Sequence, residues 1–448
     1  MTQSATTLAN LASLTASAGD AAYLTQEGRE GMFVRSTSNL STEVLADSLK
    51  GIYVPPSSDT SGASGAWVRV PEEPCVLQLD WFGANGDGVT SDTVILVTVI
   101  DTIRSLRRLG VNFHTLRFSG CKTYYLEDLS THGPALLDFS DFTAEGNGAE
   151  LKLEPLQSNT SVFDIGNDGY ETGVDETMPE NITIRGFNVD LVQNGPFLRF
   201  CNLRYPARKV LIERNHGYQS LYGDATPQAA LGDAWFISIN AAGLPSDAVN
   251  PAVAAADKNA RVHEVTIRDN VVRHQMQLTG NGGRGVDGLT IVGNEVYDPR
   301  ANGISLAGVG RISRLENVLI AHNKVYRAEG RGIYIQNDNI GDAMPMYIAQ
   351  MQTYQSYVRN VVICDNLLED CKQGIRTGTD IQGFHGLVID NNVVRSTSPD
   401  NNSCAIRIQS NAYRWAAEYW GGSDPVIDAA SFDAANDRVT FTVASVVT

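Results

Sequence analysis

The chain has 448 residues, a formal net charge of −17, six cysteines and 41 glycines. So acidic a chain is a poor partner for nucleic acid or an anionic membrane, and a poor receptor for a strongly anionic polymer unless basic residues cluster locally. No apolar run is long enough to span a membrane, and the opening MTQSATTLANLASLTASAGD lacks both the basic stretch and the continuous apolar core of a signal peptide.

Residues 1–22 are small and polar, with a weak helical spacing at Leu8, Leu11 and Leu14. They read as an exposed arm or adaptor. From residue 23 to 74 the stretches GMFV, GIYV and AWVRV are short strands of a small β module. The loop SSDTSGASG before Trp67 serves equally well as a linker or as a binding loop. Residues 75–120 form the next unit, around DWFGANGDGVTSDT from Asp80 to Thr93. NGDG forces a tight turn, and Ser91 or Asp92 is placed to cap a helix. Leu96, Val99, Ile100, Ile103, Leu106 and Leu109 mark one helical face that ends at Gly110. The β-branched residues leave a buried strand open for its first part, but length and the closing glycine favour helix.

Residues 121–410 carry a recurring pattern: branched apolar, any residue, Ile, two polar or small residues, Asn, apolar pair. It reads VTIRDNVV from Val265, LTIVGNEV from Leu289, VLIAHNKV from Val318, VVICDNLL from Val361 and LVIDNNVV from Leu387, with looser copies ITIRGFNV from Ile182 and VLIERNHG from Val210. The central residues Ile184, Ile212, Ile267, Ile291, Ile320, Ile363 and Ile389 are 28, 55, 24, 29, 43 and 26 residues apart. The base interval is one coil of roughly 20–30 residues, so 55 reads as two coils and 43 as one coil with an insertion. A second strand comes after several copies: GISL at Gly303, GIYI at Gly332, GIRT at Gly374 and AIRI at Ala405. Alternation turns one side chain of each pair inward, and so small a unit buries that face by stacking on its neighbours. Asn270, Asn294, Asn323, Asn366 and Asn392 recur at one turn position, where Asn tolerates left-handed backbone and its amide can bond the next coil. The expected fold is all-β, a right-handed parallel β-helix with an Asn ladder. His322 and Asp365, just before ladder residues, read as turn formers.

Cys75, Cys121, Cys201, Cys364, Cys371 and Cys404 lie far apart without metal-ligand spacing and read as buried free thiols. No metal or cofactor is expected. In residues 411–448, Tyr413, Trp415, Tyr419 and Trp420 either cover the open end of the solenoid or offer a platform on which sugars stack. A hairpin is expected around Ala434–Asp437, and its apolar last strand is an exposed edge unless another chain covers it.

GANGDGVTSDT, the helix after it, TLRFSGCKTYYL and the Asn-rich coils together resemble the pectate-lyase-3 type of β-helix protein, found in polysaccharide-degrading enzymes and phage tailspikes. The resemblance spans Asp80 to Ile408. It departs from the family pattern at Trp81, at Ser91 in place of the first Asp of a pair, and at SGCKTYY in place of P-x-G-x-Y. It implies that the Gly-Asp-Gly turn and its helix close the solenoid, with Asp87, Asp92 and Thr93 structural. EGREGMFV, GIYV and GASGAWVRV resemble N-terminal segments of phage and prophage tail proteins. The two resemblances imply a tailspike-like protein of a virion, attached through its N-terminal arm, forming a homotrimer and acting on a bacterial surface polysaccharide. A secreted lyase or hydrolase and a non-enzymatic tail component are the alternatives.

Insertions between Val272 and Leu289, Leu306 and Val318, and Ile335 and Val361 fall on one side of a solenoid and build a groove. They bring Arg284, Asp287, Asp298, Glu329, Arg331, Tyr334 and Asp338 to one region. Glycoside hydrolysis needs two carboxylates about 5–9.5 Å apart, which neighbouring coils can supply. Glu329 is the candidate general acid and Asp338 its base or nucleophile, with Asp287 as substitute. Arg284, Arg331, Tyr334, Arg376 and Trp415 are candidate substrate-binding residues. A lyase would instead use a base and charge neutralisation from Arg331, Arg376, His274 and His322.

Overall fold

The computed structural model describes residues 3–154, 160–167, 178–192, 198–220, 234–239, 262–281, 285–308, 314–337, 357–379, 384–395, 404–410, 427–433 and 438–443. Among the described residues, three all-parallel sheets of ten, ten and nine strands run the length of the solenoid. A coil visits each in turn. Gly285–Val292 lies in the first sheet, Glu295–Tyr297 in the second and Asn302–Gly308 in the third, and Arg314–Ala321 then returns to the first. The two strands per coil legible in the pattern are thus joined by a third of three residues.

The repeated isoleucines form one inward column, as their spacing predicts. Ile184, Ile212, Ile267, Ile291, Ile320, Ile363 and Ile389 pair each with the next in register. All but the last are fully buried. The same register corrects the count of coils: Ile212 pairs directly with Ile267, so the 55-residue interval is one coil with an insertion. Length between copies counts loop residues as well as strand residues, and only strand pairing separates the two.

Bending comes from left-handed residues at fixed places. Arg214, Asp269, Gly293, His322, Asp365 and Asn391 all have φ between 52° and 68°, between the first and second sheets. These residues precede the ladder asparagines, so it is the preceding residue that turns the chain. His322 and Asp365 are the turn formers expected, whereas the Asn is freed for hydrogen bonding. The backbone N–H and Nδ2 of Asn270 donate to Oδ1 of Asn294, those of Asn294 to Asn323, those of Asn323 to Asn366 and those of Asn366 to Asn392, all at 2.8–3.1 Å. Asn215 extends the ladder by one coil.

The sheets begin earlier than residue 121. Val76–Gln78 and Thr115–Arg117 start the first sheet, and Asp87–Ser91 starts the second. The helix Thr93–Arg108 packs Leu96, Val99, Ile100, Ile103 and Leu106 into the core as its periodicity requires, while Leu109 stays outside. Asp92 stands at its N-terminus but does not cap it. Its carboxylate accepts instead from the backbone N–H groups of Asn85 and Gly86, at 2.7 and 3.1 Å, and so fastens the NGDG turn.

The segment expected as an exposed arm is part of a sheet. Gln3–Ala5 pairs with Ala21–Leu24, which continues through Gly31–Ser36 and Ala66–Arg69 to Tyr53–Val54. Ala5, Leu11 and Ala22 are buried with Phe33 and Trp67, giving small apolar residues an inward role that composition alone does not reveal. Arg69 ties this module to the solenoid. Its guanidinium lies 4.5 Å from both the Phe33 and Trp81 rings and donates to the carbonyls of Gly51, Glu30 and Arg29. Ile427–Asp433 and Arg438–Val443 form the expected C-terminal antiparallel hairpin. Cys75, Cys121, Cys201, Cys364 and Cys371 carry free thiols.

Candidate functional site

The third sheet faces the core with Ile304, Leu306, Ile333, Ile335 and Ile375. The intervening residues therefore point outward, because side chains alternate along a strand. One outward column runs in register through Asp164, Asn202, Ser238 and Gly280 to Ser305, Tyr334 and Arg376. A second column in register, Arg199, Trp235, Gln277, Asn302, Arg331 and Gln373, lies beyond a corner at which alternation breaks, since Gly303 and Ile304 both face the core; the Arg331 guanidinium over the Tyr334 ring and the Trp235 ring over Gly280 place it on the same outer face. At coil spacing of ~4.8 Å this surface is roughly 30 Å long. Polar side chains on it are unusually buried: Asp164, Arg199, Asn202, Ser238, Gln277, Asn302 and Ser305 are each 7% exposed or less.

Three of the expected binding residues meet here. The Arg331 guanidinium lies 4.3 Å from the Tyr334 ring centre, and that of Arg376 lies 5.7 Å from the same ring. Both guanidinium groups engage the π face of the phenol, an arrangement that holds two cations in place on this outer face. Glu329 stands two residues before Arg331, on the turn between the second and third sheets. It is exposed, and its backbone N–H donates to the Pro299 carbonyl of the preceding coil.

Asp287 is elsewhere. It lies in the first-sheet strand, beyond the far end of the third sheet, and accepts from Asn317 Nδ2 at 2.8 Å with His263 at 3.6 Å. Seven residues of third-sheet strand separate that corner from the Glu329 corner, roughly 20 Å, which excludes a dyad of Glu329 with Asp287 within one chain. Regular spacing along the sequence places both carboxylates in neighbouring coils without distinguishing the corners. Asp338, Arg284 and Trp415 lie outside the described residues.

Near the Glu329 turn stand Asp298, expected in this region, and an aromatic pair that the repeat pattern does not single out. Asp298, at the equivalent corner one coil earlier, is held by two contacts from Arg327 at 2.5 and 2.9 Å. On the adjoining second-sheet face the Tyr297 and Tyr326 rings stack at 4.9 Å, with the Arg273 guanidinium 4.6 Å from Tyr297. The Tyr297 hydroxyl donates to Glu295 at 2.6 Å, and this bond together with partial burial raises its pKa above the ordinary phenol value. Further along the third sheet, Arg199 lies 5.4 Å from the Trp235 ring. Aligning AWFISI at Ala234 with GISL and GIYI would have exposed Trp235 and Ser238 as outward residues. That strand escapes the pattern because phenylalanine stands where the later coils have glycine. No group of three or more His, Cys, Asp or Glu side chains suited to a metal occurs among the described residues.

The chain folds as a parallel β-helix, a fold it shares with phage tailspike proteins of solved structure. The enzymatically active domain of bacteriophage CBA120 tailspike protein 2 superposes with a TM-score of 0.50 at 12% identity, over 88% of this chain and 54% of that one. The Pantoea stewartii glycan biofilm modifying enzyme WceF, described as having a tailspike-like parallel β-helix fold, gives 0.48 at 13% identity over 90% and 49%. The tailspike protein of Acinetobacter baumannii phage AM24 gives 0.47 at 14% identity over 90% and 58%. The chain thus spans about half the length of these structures, and at such identities the likeness is one of fold. No protein-family model and no curated protein matches the chain, so the pectate-lyase-3 resemblance is not supported by a family match.

Proposed function

We propose that this protein is a tailspike-like polysaccharide depolymerase that holds a bacterial surface glycan against the third sheet and hydrolyses it at the corner bearing Glu329. The observation that carries this reading is the Arg331–Tyr334–Arg376 cluster beside an exposed carboxylate, with the Tyr297–Tyr326 stack on the other side of the same corner. Aromatic faces take the apolar faces of sugar rings while charged and amide groups take their hydroxyls. Glu329 serves as general acid. Its partner is Asp338 or Asp298, the latter on the same turn one coil earlier.

In this reading the protein is a homotrimer, the N-terminal module attaches it to a phage or prophage tail, and the protein is a virion component. A native mass equal to one chain at micromolar concentration would count against the trimer. The activity is tested by incubating the protein with purified capsular polysaccharides and lipopolysaccharides from bacterial strains and measuring new reducing ends. Release by the parent but not by Glu329→Gln supports hydrolysis at this corner. Products with unsaturated uronates would replace hydrolysis with a lyase reaction and shift attention to Arg331, Arg376, His274 and His322. Binding without release of fragments would reduce the protein to a receptor-binding component.

A further inference from the structure

We propose that the third sheet carries a second subsite, three to four coils from Glu329 towards the N-terminus, where Arg199, Asn202, Trp235 and Ser238 bind a sugar bearing a carboxylate. The proposal rests on the reading of this face as the glycan surface and adds the class of glycan it takes.

Charge is the first argument. In a chain of net charge −17, the outward positions described on the third sheet hold Arg199, Arg331 and Arg376, with Arg204 just past the end of its strand, against one carboxylate, Asp164. Asp164 is already engaged by the Ser161 hydroxyl, by Asn202 Nδ2 at 3.0 Å and by Arg204 at 3.3 Å. Arg204 and Asp164 thus offset one another, and Arg199 is the remaining cation at this end of the face.

Unmet hydrogen-bonding capacity is the second. Nε of Arg199, Oδ1 of Asn202 and Oγ of Ser238 are buried and have no hydrogen-bond partner. These residues are 7%, 3% and 0% exposed and stand on two consecutive coils. Buried polar atoms left unpaired are costly, and in native proteins such groups mark a ligand, a water or a functional strain. Here they offer what an acidic sugar requires: a guanidinium edge for the carboxylate, a hydroxyl that can donate to it, and an amide oxygen that accepts from a ring hydroxyl.

The Trp235 indole orders the cluster. It supports the Arg199 guanidinium at 5.4 Å and occupies the space above Gly280, where an added Cβ would lie 2.2 Å from the ring. Stacking takes one face of the guanidinium and leaves its in-plane N–H groups for an anion. Burial draws the Arg199 pKa below its usual value, with Asp164 opposing, so a bound carboxylate would restore part of the lost stabilisation of the charge.

The test uses the full chain and the polysaccharide it binds best among purified bacterial capsules and O-chains, with affinities read by calorimetry. The expected result is an acidic glycan whose carboxyl-reduced form binds about 10-fold or more weakly, with the difference shrinking at high salt. Arg199→Gln should weaken the native glycan to the level of the reduced one while leaving affinity for the reduced one unchanged. Should Arg199→Gln fail to fold by thermal melt, Gly280→Val, which displaces the indole, and the smaller change Ser238→Ala take its place with the same expected split. A preferred glycan without carboxylates, or equal affinity for native and reduced forms, overturns the proposal and leaves the glycan reading standing. Failure to bind any glycan removes both.

Discussion

Along the edge between the first and second sheets, every ladder asparagine from Asn215 to Asn366 donates to the one on the next coil, and its Nδ2 reaches a backbone carbonyl of the preceding coil as well. On the outer face of the third sheet, residues that are also buried are left with unpaired atoms at Arg199, Asn202 and Ser238. Both regions belong to the same coils and share the same strand spacing. The difference lies in repetition: the ladder uses one residue type again and again, whereas the outer columns change residue at nearly every coil. Uniform columns satisfy themselves and hold the solenoid together. Varied columns satisfy themselves only in part, and leave buried polar atoms of Arg199, Asn202 and Ser238 unpaired.

The largest loss is expected at the core. Ile320→Asp puts a charge in the middle of the inward column with no counter-ion, and the variant should lose its cooperative melt by circular dichroism. A parent-like melt would mean that the column does not carry the fold. The next effect is on chemistry with stability left alone. Glu329 is exposed, so Glu329→Gln should melt with the parent, retain glycan and lose about 10²–10⁴-fold in rate of reducing-end release. Full activity would eliminate Glu329.

A smaller change separates the two edges directly. Asn323→Leu removes the acceptor of Asn294 and the donor to the Ile291 and Ala321 carbonyls, and should cost about 3 kcal/mol or more in chemical denaturation. Asn302→Ala, on the outer face, gives up only long contacts of 3.5 Å to Gln277 and Arg331 and should cost less than about 1 kcal/mol. Equal losses would erase the distinction between ladder and ligand face.

The smallest effect concerns pH. Burial pushes the Glu145 carboxyl upward, but Arg117 and Arg185, each at 2.7 Å, outweigh it and hold the pKa below the ordinary glutamate value. A carboxyl whose pKa is lower in the folded state contributes stability above the unfolded value and loses it as pH falls through the folded one. Between about pH 5 and pH 3 the parent should therefore lose more stability than Glu145→Gln, by less than about 1 kcal/mol because the arginines are partly solvated. Parallel curves for the two proteins would show that the ion pairs contribute nothing measurable.

Legibility in the sequence divides along the same line. The inward isoleucines, the Asn ladder and the turn roles of His322 and Asp365 recur within one short motif, and the cap helix keeps a helical period, so each is set by residues close in sequence. In the N-terminal sheet the strands at GMFV, GIYV and AWVRV are legible, whereas Gln3–Ala5 escapes such a reading because it gains its partner from Ala21–Leu24, a pairing that small residues such as Ala5 and Ala22 do not announce. Among site residues, Arg331, Tyr334 and Arg376 can be picked out from their strands and are brought together, whereas sequence spacing puts Asp287 at the wrong corner.

The sequence by itself determined that the chain would stack in parallel coils, because each repeat exposes an apolar face that another repeat alone can cover. The tertiary structure decided the number of coils, the third strand in each and which outward side chains share a face. Those depend on how many residues leave the strands between turns, and a loop residue carries no periodic mark. Arg199, Trp235 and Ser238 became neighbours only when pairing across insertions set the coils in register.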